Sequence, residues 1–309
     1  MRRDIAGFAT AGVLVLAACS PADAEGLEKD TYLSLGDSLA VGFQPDESGG
    51  GETPYGYPEV LYRSLYGSDS TLDHESMGCP GEDTTSMLEG SEFCHYDEGS
   101  QLEAAEAFME DNRDSLRLVT LGVGANNFTI CVEEDGDAFT IDEECVDEGL
   151  DRLHSELPDI VERVRDAAGD DVQIVGMNYY NPFVVASLTE DEPTDEDADA
   201  ASDDETAGED EDAPLTGEAL AEYGNEVLAE LNDEIADAYA ANDVDLADVA
   251  REFEWDNDEE SESDTGLPTN VQMICDYTWM CDTALGPDIH TNDAGGQLIA
   301  EVFRGELPR

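Results

Sequence analysis

Two short stretches at opposite ends of the chain hold residues that together could transfer an acyl group. Gly36-Asp37-Ser38-Leu39 follows an apolar run at 31–35, and Asp288-Ile289-His290 lies near the C-terminus. A serine hydroxyl attacks a carbonyl only when a base takes its proton, and histidine is the usual base near neutral pH. Taken singly, both signals are weak. Gly-Asp-Ser is ordinary turn chemistry, and an isolated histidine more often serves packing than catalysis.

Elements that could position the two stretches are visible in the hydropathy pattern. Residues 31–35 and 172–177 read as buried strands, and 116–123 is a continuous apolar run typical of a strand covered on both faces. Residues 244–249 form a further short strand. Helical spacing marks 55–66, 101–112, 146–168 (with Pro158 as a bend) and 215–241. Thr291 or Asn292 could cap a last helix through Phe303, because a short side-chain oxygen accepts from the first free backbone amides. Strands alternating with helices predict an α/β fold, a three-layer α/β/α sandwich around a mainly parallel sheet. Ser38 then sits at the carboxyl edge of that sheet, where sites in open α/β folds lie.

Charge narrows the partners. Among 309 residues, 12 Lys and Arg face 78 Asp and Glu, a formal charge of −66 at pH 7. Such a protein repels nucleic acid and anionic lipid surfaces. A calcium site or a basic partner would gather the acid in one region. Here it interrupts nearly every segment, which points to a surface adapted to strong salt. Only 189–213 stands apart, with 14 acids in 25 residues; it cannot bury enough apolar surface to order itself and reads as a disordered surface insertion. A calcium loop there would need a glycine and a glutamate that Asp195-x-Asp197-x-Asp199 lacks.

The N-terminus reads as a targeting signal: Arg2 and Arg3, an apolar stretch at 5–18, then small residues before Cys19. Leu16-Ala17-Ala18-Cys19 resembles the bacterial lipobox, so residues 1–18 are expected to be a lipoprotein signal peptide with Cys19 lipidated. Cleavage near Ala22–Ala24, giving a soluble secreted protein, is the alternative. Residues 19–30 would be a linker and 31–305 a single domain. With Cys19 set aside, six cysteines remain, an even number suited to an oxidising compartment. Their grouping makes Cys79–Cys94, Cys131–Cys145 and Cys275–Cys281 the simplest pairing. Zinc is disfavoured, since no CxxC spacing occurs and the four histidines are scattered.

Read together, the segments resemble the SGNH, or GDSL-type, lipase/esterase family. Leu35-Gly36-Asp37-Ser38-Leu39 looks like its first block and Gly78-Cys79-Pro80-Gly81-Glu82-Asp83-Thr84 like its second. Gly122-Val123-Gly124-Ala125-Asn126-Asn127 looks like the third, and Asp288-Ile289-His290-Thr291-Asn292 like the fifth. The stretch 175–183 is similar to one in actinobacterial members. The resemblance implies Ser38 as nucleophile and His290 as base, with an oxyanion hole from the Ser38 and Gly81 amides and the Asn126 side chain. It implies no metal or organic cofactor. Two departures stand out. Asn127 occupies a position that is usually Asp, and the family's usual acid position holds Pro287. Either Asp288 orients the imidazole or a backbone carbonyl near Pro287 does.

The expected function is a secreted serine esterase or lipase. It would be a monomer that acts on an ester substrate and is tethered to a membrane by its N-terminal lipid. A polysaccharide deacetylase of the same fold and a non-catalytic binding protein are the alternatives; the second would be expected to lose Ser38, Asn126 or His290. His74, His95 and His154 read as surface or loop residues. Trp255 and Trp279 are candidates for core packing or an acyl pocket. The dispersed acid carries a test. Like charges repel in dilute buffer and are screened when the Debye length falls to about 3 Å at 1 M salt. Thermal unfolding should therefore show a melting temperature that rises steeply between dilute buffer and molar salt.

Overall fold

The computed structural model describes residues 29–67, 71–135, 138–188, 215 and 217–308. The expected signal peptide 1–18, Cys19, most of the 19–30 linker and the acidic insertion 189–213 lie outside them. Strand β1 (Thr31–Gly36) leads to α1 (Tyr57–Tyr66), β2 (Asp73–Ser76), α2 (Thr84–Glu89), α3 (Gln101–Asp111) and β3 (Leu116–Gly122). Helix α4 (Asn126–Thr129) and a hairpin of β4 (Val132–Asp135) and β5 (Ala138–Ile141) follow, then α5 (Glu143–Ala168) and β6 (Gln173–Met177). After a 3₁₀ segment (Pro182–Leu188) come α6 (Gly217–Ala241), β7 (Asp245–Ala247), α7 (Val249–Glu252), α8 (Thr269–Tyr277) and α9 (Asp293–Glu306).

Five strands form one sheet in the order β2-β1-β3-β6-β7, every pair parallel. Helices α1 and α9 pack together on one face, while α2, α3, α5 and α6 pack against one another on the other. This is the three-layer α/β/α sandwich that the alternation of elements predicts. The chain moves outward in both directions from β1 and β3, so those two strands flank the point where connections diverge. Ligands of open α/β sheets bind at that point, beyond the carboxyl ends of the strands.

Local sequence explains the principal elements. All six residues of β1 are buried, as a central strand covered on both faces requires. Helix α5 begins at Asp142, whose carboxylate accepts from the Cys145 amide at 3.1 Å. It buries Val146, Gly149, Leu153, Leu157, Ile160 and Val164, spaced three or four apart on one face. Asn292 caps α9 by accepting from the amides of Ala294 (2.9 Å) and Gly295 (3.0 Å).

Several elements leave little trace in the hydropathy pattern. Strand β2 reads Asp-His-Glu-Ser, too polar to resemble a strand, because it pairs on the sheet edge and exposes most of its side chains. His74 on β2 corrects the expectation of a surface or loop histidine. Its side chain is only 6% exposed. The ring stacks on Tyr32 at 4.4 Å and bonds the Ser34 hydroxyl at 2.9 Å. His95 and His154 are exposed, as expected.

Three disulfides join Cys79–Cys94, Cys131–Cys145 and Cys275–Cys281. The first closes the loop carrying Gly81, the second closes the β4–β5 hairpin, and the third braces the segment before His290. A cross-link closing a loop of about 15 residues limits the unfolded chain by roughly 3 kcal/mol in the chain-entropy account. No helix among the described residues is long and apolar enough to cross a membrane.

At the carboxyl edge, Gly36 pairs with Gly122, the last residues of β1 and β3. A Cβ on Gly36 would stand 2.4 Å from the Gly122 carbonyl oxygen, and its φ of +142° disfavours any side chain. Gly36→Ala should lower unfolding stability by about 1–3 kcal/mol through strain and forced separation of the strands. Urea denaturation against wild type in molar salt measures this.

Candidate active site

Ser38 lies two residues beyond β1 in a tight turn. The Asp37 amide donates to Gly122 O at 3.1 Å, and the Phe43 amide donates to Ser38 O at 2.9 Å. Ser38 lines a cleft of about 700 Å³, open space at its mouth included, and His290 lines the same cleft. The Ser38 hydroxyl makes no hydrogen bond among the described residues.

His290 arrives on the loop between α8 and α9. Asp288 accepts twice from it, at the backbone amide (2.9 Å) and across the 2.7 Å contact of Asp288 Oδ1 with the imidazole Nδ1. The carboxylate thus faces the ring from two residues before it. With Nδ1 engaged, Nε2 is the ring nitrogen left to handle a proton. Phe43 covers the ring at a centroid distance of 4.7 Å. The Trp279 amide donates to His290 O at 3.0 Å, fixing the backbone beneath.

Gly81 comes from the loop after β2, and Asn126 is the first residue of α4, which follows β3. The amides of Ser38 and Gly81 donate to no group among the described residues, so both remain available to an anion. Gly81 takes φ +77° and is not among the cleft-lining residues, whereas Asn126 is. The Asn126 amide donates to Glu82 O at 3.0 Å and so joins the two loops. Its oxygen accepts from Thr129 Oγ1 at 2.9 Å, which points the NH₂ group and its second hydrogen the other way.

Beneath these groups lies a polar layer that motif reading missed. Gln101 accepts from the Gly36 amide (2.7 Å) and donates to Gly36 O (3.0 Å) and Glu82 Oε2 (2.8 Å). Only its place at the start of a predicted helix was legible. Asn127 accepts from the Thr84 amide (3.1 Å) and donates to Thr84 Oγ1 (2.7 Å) and Gly149 O (3.2 Å). Thr84 gives its own proton to Glu156 (2.6 Å), so both groups facing the Asn127 nitrogen are acceptors. An aspartate there would set oxygen against oxygen, which is a physical reason for asparagine at this position.

Burial pushes the Asp37 carboxyl up from an ordinary value of 3.8 to about 6, against the hydrogen bonds from Tyr179 and the Leu39 amide that favour its charge. Burial likewise raises the Glu82 carboxyl. The rest of the cleft is largely apolar, walled by Leu39, Phe128, Val132, Ile141, Val227 and Leu231. Trp279 and Trp255 do not line it; Trp255 packs against the core.

The sequence profile of the GDSL-like lipase/acylhydrolase family matches residues 34–298. The chain belongs to this family. Its fold is similar to that of the extracellular lipase from Streptomyces rimosus, with 17% identity, a TM-score of 0.53, and coverage of 90% of this chain and 100% of that one. The phospholipase A1 from Streptomyces albidoflavus NA297 is also similar, at 18% identity and a TM-score of 0.50 over the same shares. No curated protein matches the chain significantly. Membership places this chain in a hydrolase family of α/β/α fold, and all four sequence blocks lie within the matched span.

Asp37 has a measurable consequence for this hydrolase. Between pH 4 and 6 the folded state holds the Asp37 proton more tightly than the unfolded chain, so its contribution to stability falls as pH rises through that window. A pKa gap from 3.8 to about 6 corresponds to about 3 kcal/mol. Asp37→Asn keeps an acceptor for the Leu39 amide and carries no charge. In urea unfolding at molar salt, the variant should match wild type near pH 4 and exceed it by up to about 3 kcal/mol at pH 7–8.

Proposed function

We propose that this hydrolase is a secreted carboxylic-ester hydrolase working through an acyl-enzyme on Ser38. The observation that carries the reading is the His290 imidazole, held at Nδ1 by Asp288 on the cleft that Ser38 also lines. His290 Nε2 takes the Ser38 proton as Oγ bonds to the ester carbonyl carbon. Negative charge develops on the carbonyl oxygen, which the Ser38 and Gly81 amides and the Asn126 NH₂ would meet. The intermediate collapses, and Nε2 gives its proton to the departing alcohol oxygen. Water then attacks the acyl-enzyme, loses a proton to Nε2, and the acid leaves as Ser38 regains its hydrogen. Asp288 orients the ring and stabilises the imidazolium formed in each half.

The apolar walls favour an acyl chain over acetate, because each methylene buried in such a cleft contributes about 0.8 kcal/mol. Lipid or medium-chain esters are therefore the substrates of choice in this reading, rather than acetylated polysaccharide. Export belongs to the same proposal: the three disulfides suit an oxidising compartment, and Cys19 is the residue that would carry a lipid tether.

Fluorophosphonate labelling in molar salt tests the mechanism. Wild type should label stoichiometrically, Ser38→Ala not at all, and His290→Ala far more slowly. Asn126→Ala should keep the label but lose about 10²–10³ in turnover, the cost of one oxyanion donor. A folded wild type that fails to label would overturn the esterase reading.

A further inference from the structure

The nucleophile turn and the base loop come from opposite ends of the chain, and no hydrogen bond joins Ser38 directly to His290 among the described residues. Both are tied instead to one dipeptide beyond β6. Tyr179 donates from its hydroxyl to Asp37 Oδ2 at 2.6 Å, while Asp37 Oδ1 accepts from the Leu39 amide at 2.9 Å. Ser38 is thus bracketed by the two residues that this network engages. Tyr180 donates from its hydroxyl to Ile289 O at 2.7 Å, on the peptide that leads into His290.

The dipeptide itself is held on both sides. Asn232 of α6 accepts from the Tyr179 amide and donates to the Tyr179 carbonyl, both at 2.9 Å. The preceding Asn178 donates to Asp248 Oδ1 and accepts from the Ala250 amide, again both at 2.9 Å. The Tyr180 ring stacks on Phe253 at 4.5 Å with the planes 17° apart. Tyr179 and Tyr180 are 3% and 5% exposed, so water offers neither hydroxyl an easy substitute. Adjacent Cα atoms are fixed at about 3.8 Å. Two neighbouring side chains anchored this way set a fixed span between the groups they hold.

We infer that Tyr179 and Tyr180 are positioning residues that set the separation of Ser38 and His290 across the cleft, one hydroxyl registering the nucleophile turn and the other the base loop. This inference rests on the esterase reading of the same site. Neither tyrosine takes or gives a proton in the reaction. A misplacement of about 1 Å between reacting groups can cost about 10²-fold in rate, which is the scale such a clamp would protect.

The test uses Tyr179→Phe, Tyr180→Phe and the double variant. Each keeps the ring, its packing and the cleft wall while deleting one hydroxyl. With a medium-chain p-nitrophenyl ester in molar salt, each single variant should lose roughly 10–100-fold in kcat, with KM within about twofold of wild type. The rate of fluorophosphonate labelling should fall in step. The double variant should lose less than the product of the single losses, because either deletion already releases the span. Unchanged kcat and labelling rate would overturn the inference, even if the melting temperature dropped. So would a raised KM at constant kcat, which would make the tyrosines cleft walls only. Wild type is the control for the underlying reading: if it does not label, the esterase proposal fails, whereas a labelled wild type with equally reactive phenylalanine variants removes only the clamp.

Discussion

The site depends first on how closely β1 and β3 end against each other. Gly36 faces Gly122 with no room for a side chain between its Cα and the neighbouring carbonyl. At that contact the sheet stops and both chains leave in opposite senses, one into the Ser38 turn and the other toward Asn126. A wider gap would move Ser38 away from Gly81 and Asn126. Gln101 reinforces the contact by occupying both backbone polar groups of Gly36 and reaching on to Glu82, so the end of β1 and the loop bearing Gly81 share one anchor.

Below Ser38, Gly81 and Asn126, the fold uses buried polar side chains where a core would ordinarily be apolar. Gln101, Asn127, Thr84, Asp37 and Glu82 are all buried and hydrogen-bonded to one another, to nearby backbone or to neighbouring side chains. Unpaired, each would cost about 1–3 kcal/mol or more. Paired, each holds a loop in one geometry, which apolar packing does less specifically. The chain therefore uses its acids in two opposed ways. Among the described residues the other acids stay exposed or partly exposed, while Asp37 and Glu82 are drawn inside, where burial favours their protonated forms.

Much of this was legible in order along the chain. Apolar runs marked β1, β3 and β6 because central parallel strands bury both faces and leave no polar alternation. The stripe along α5 was visible for the same local reasons, and so was a cap for α9, as Thr291 or Asn292; the structure uses Asn292. Strand β2 was not, since an edge strand needs few apolar residues. The β4–β5 hairpin and α8 were missed too; segments of four and nine residues are too short for either period to stand out from the surrounding sequence. Asn127 was legible as a departure from the family pattern, but its partners Thr84 and Gly149 were not, so the reason for asparagine had no trace in the string.

The sequence by itself determined the class of fold, the family, and which serine, histidine and asparagine stand in the family's blocks, because strand burial and block motifs are local properties of contiguous residues. The tertiary structure alone decided what faces what. It brought Asp288 to Nδ1 of His290 despite proline in the usual acid position, moved His74 from an expected surface place into a stack on Tyr32, and tied Tyr179 and Tyr180 to both halves of the site. Apart from Asp288 and His290, which are two residues apart, those contacts join residues far apart in the chain, and the packing of helices onto the sheet sets their distances.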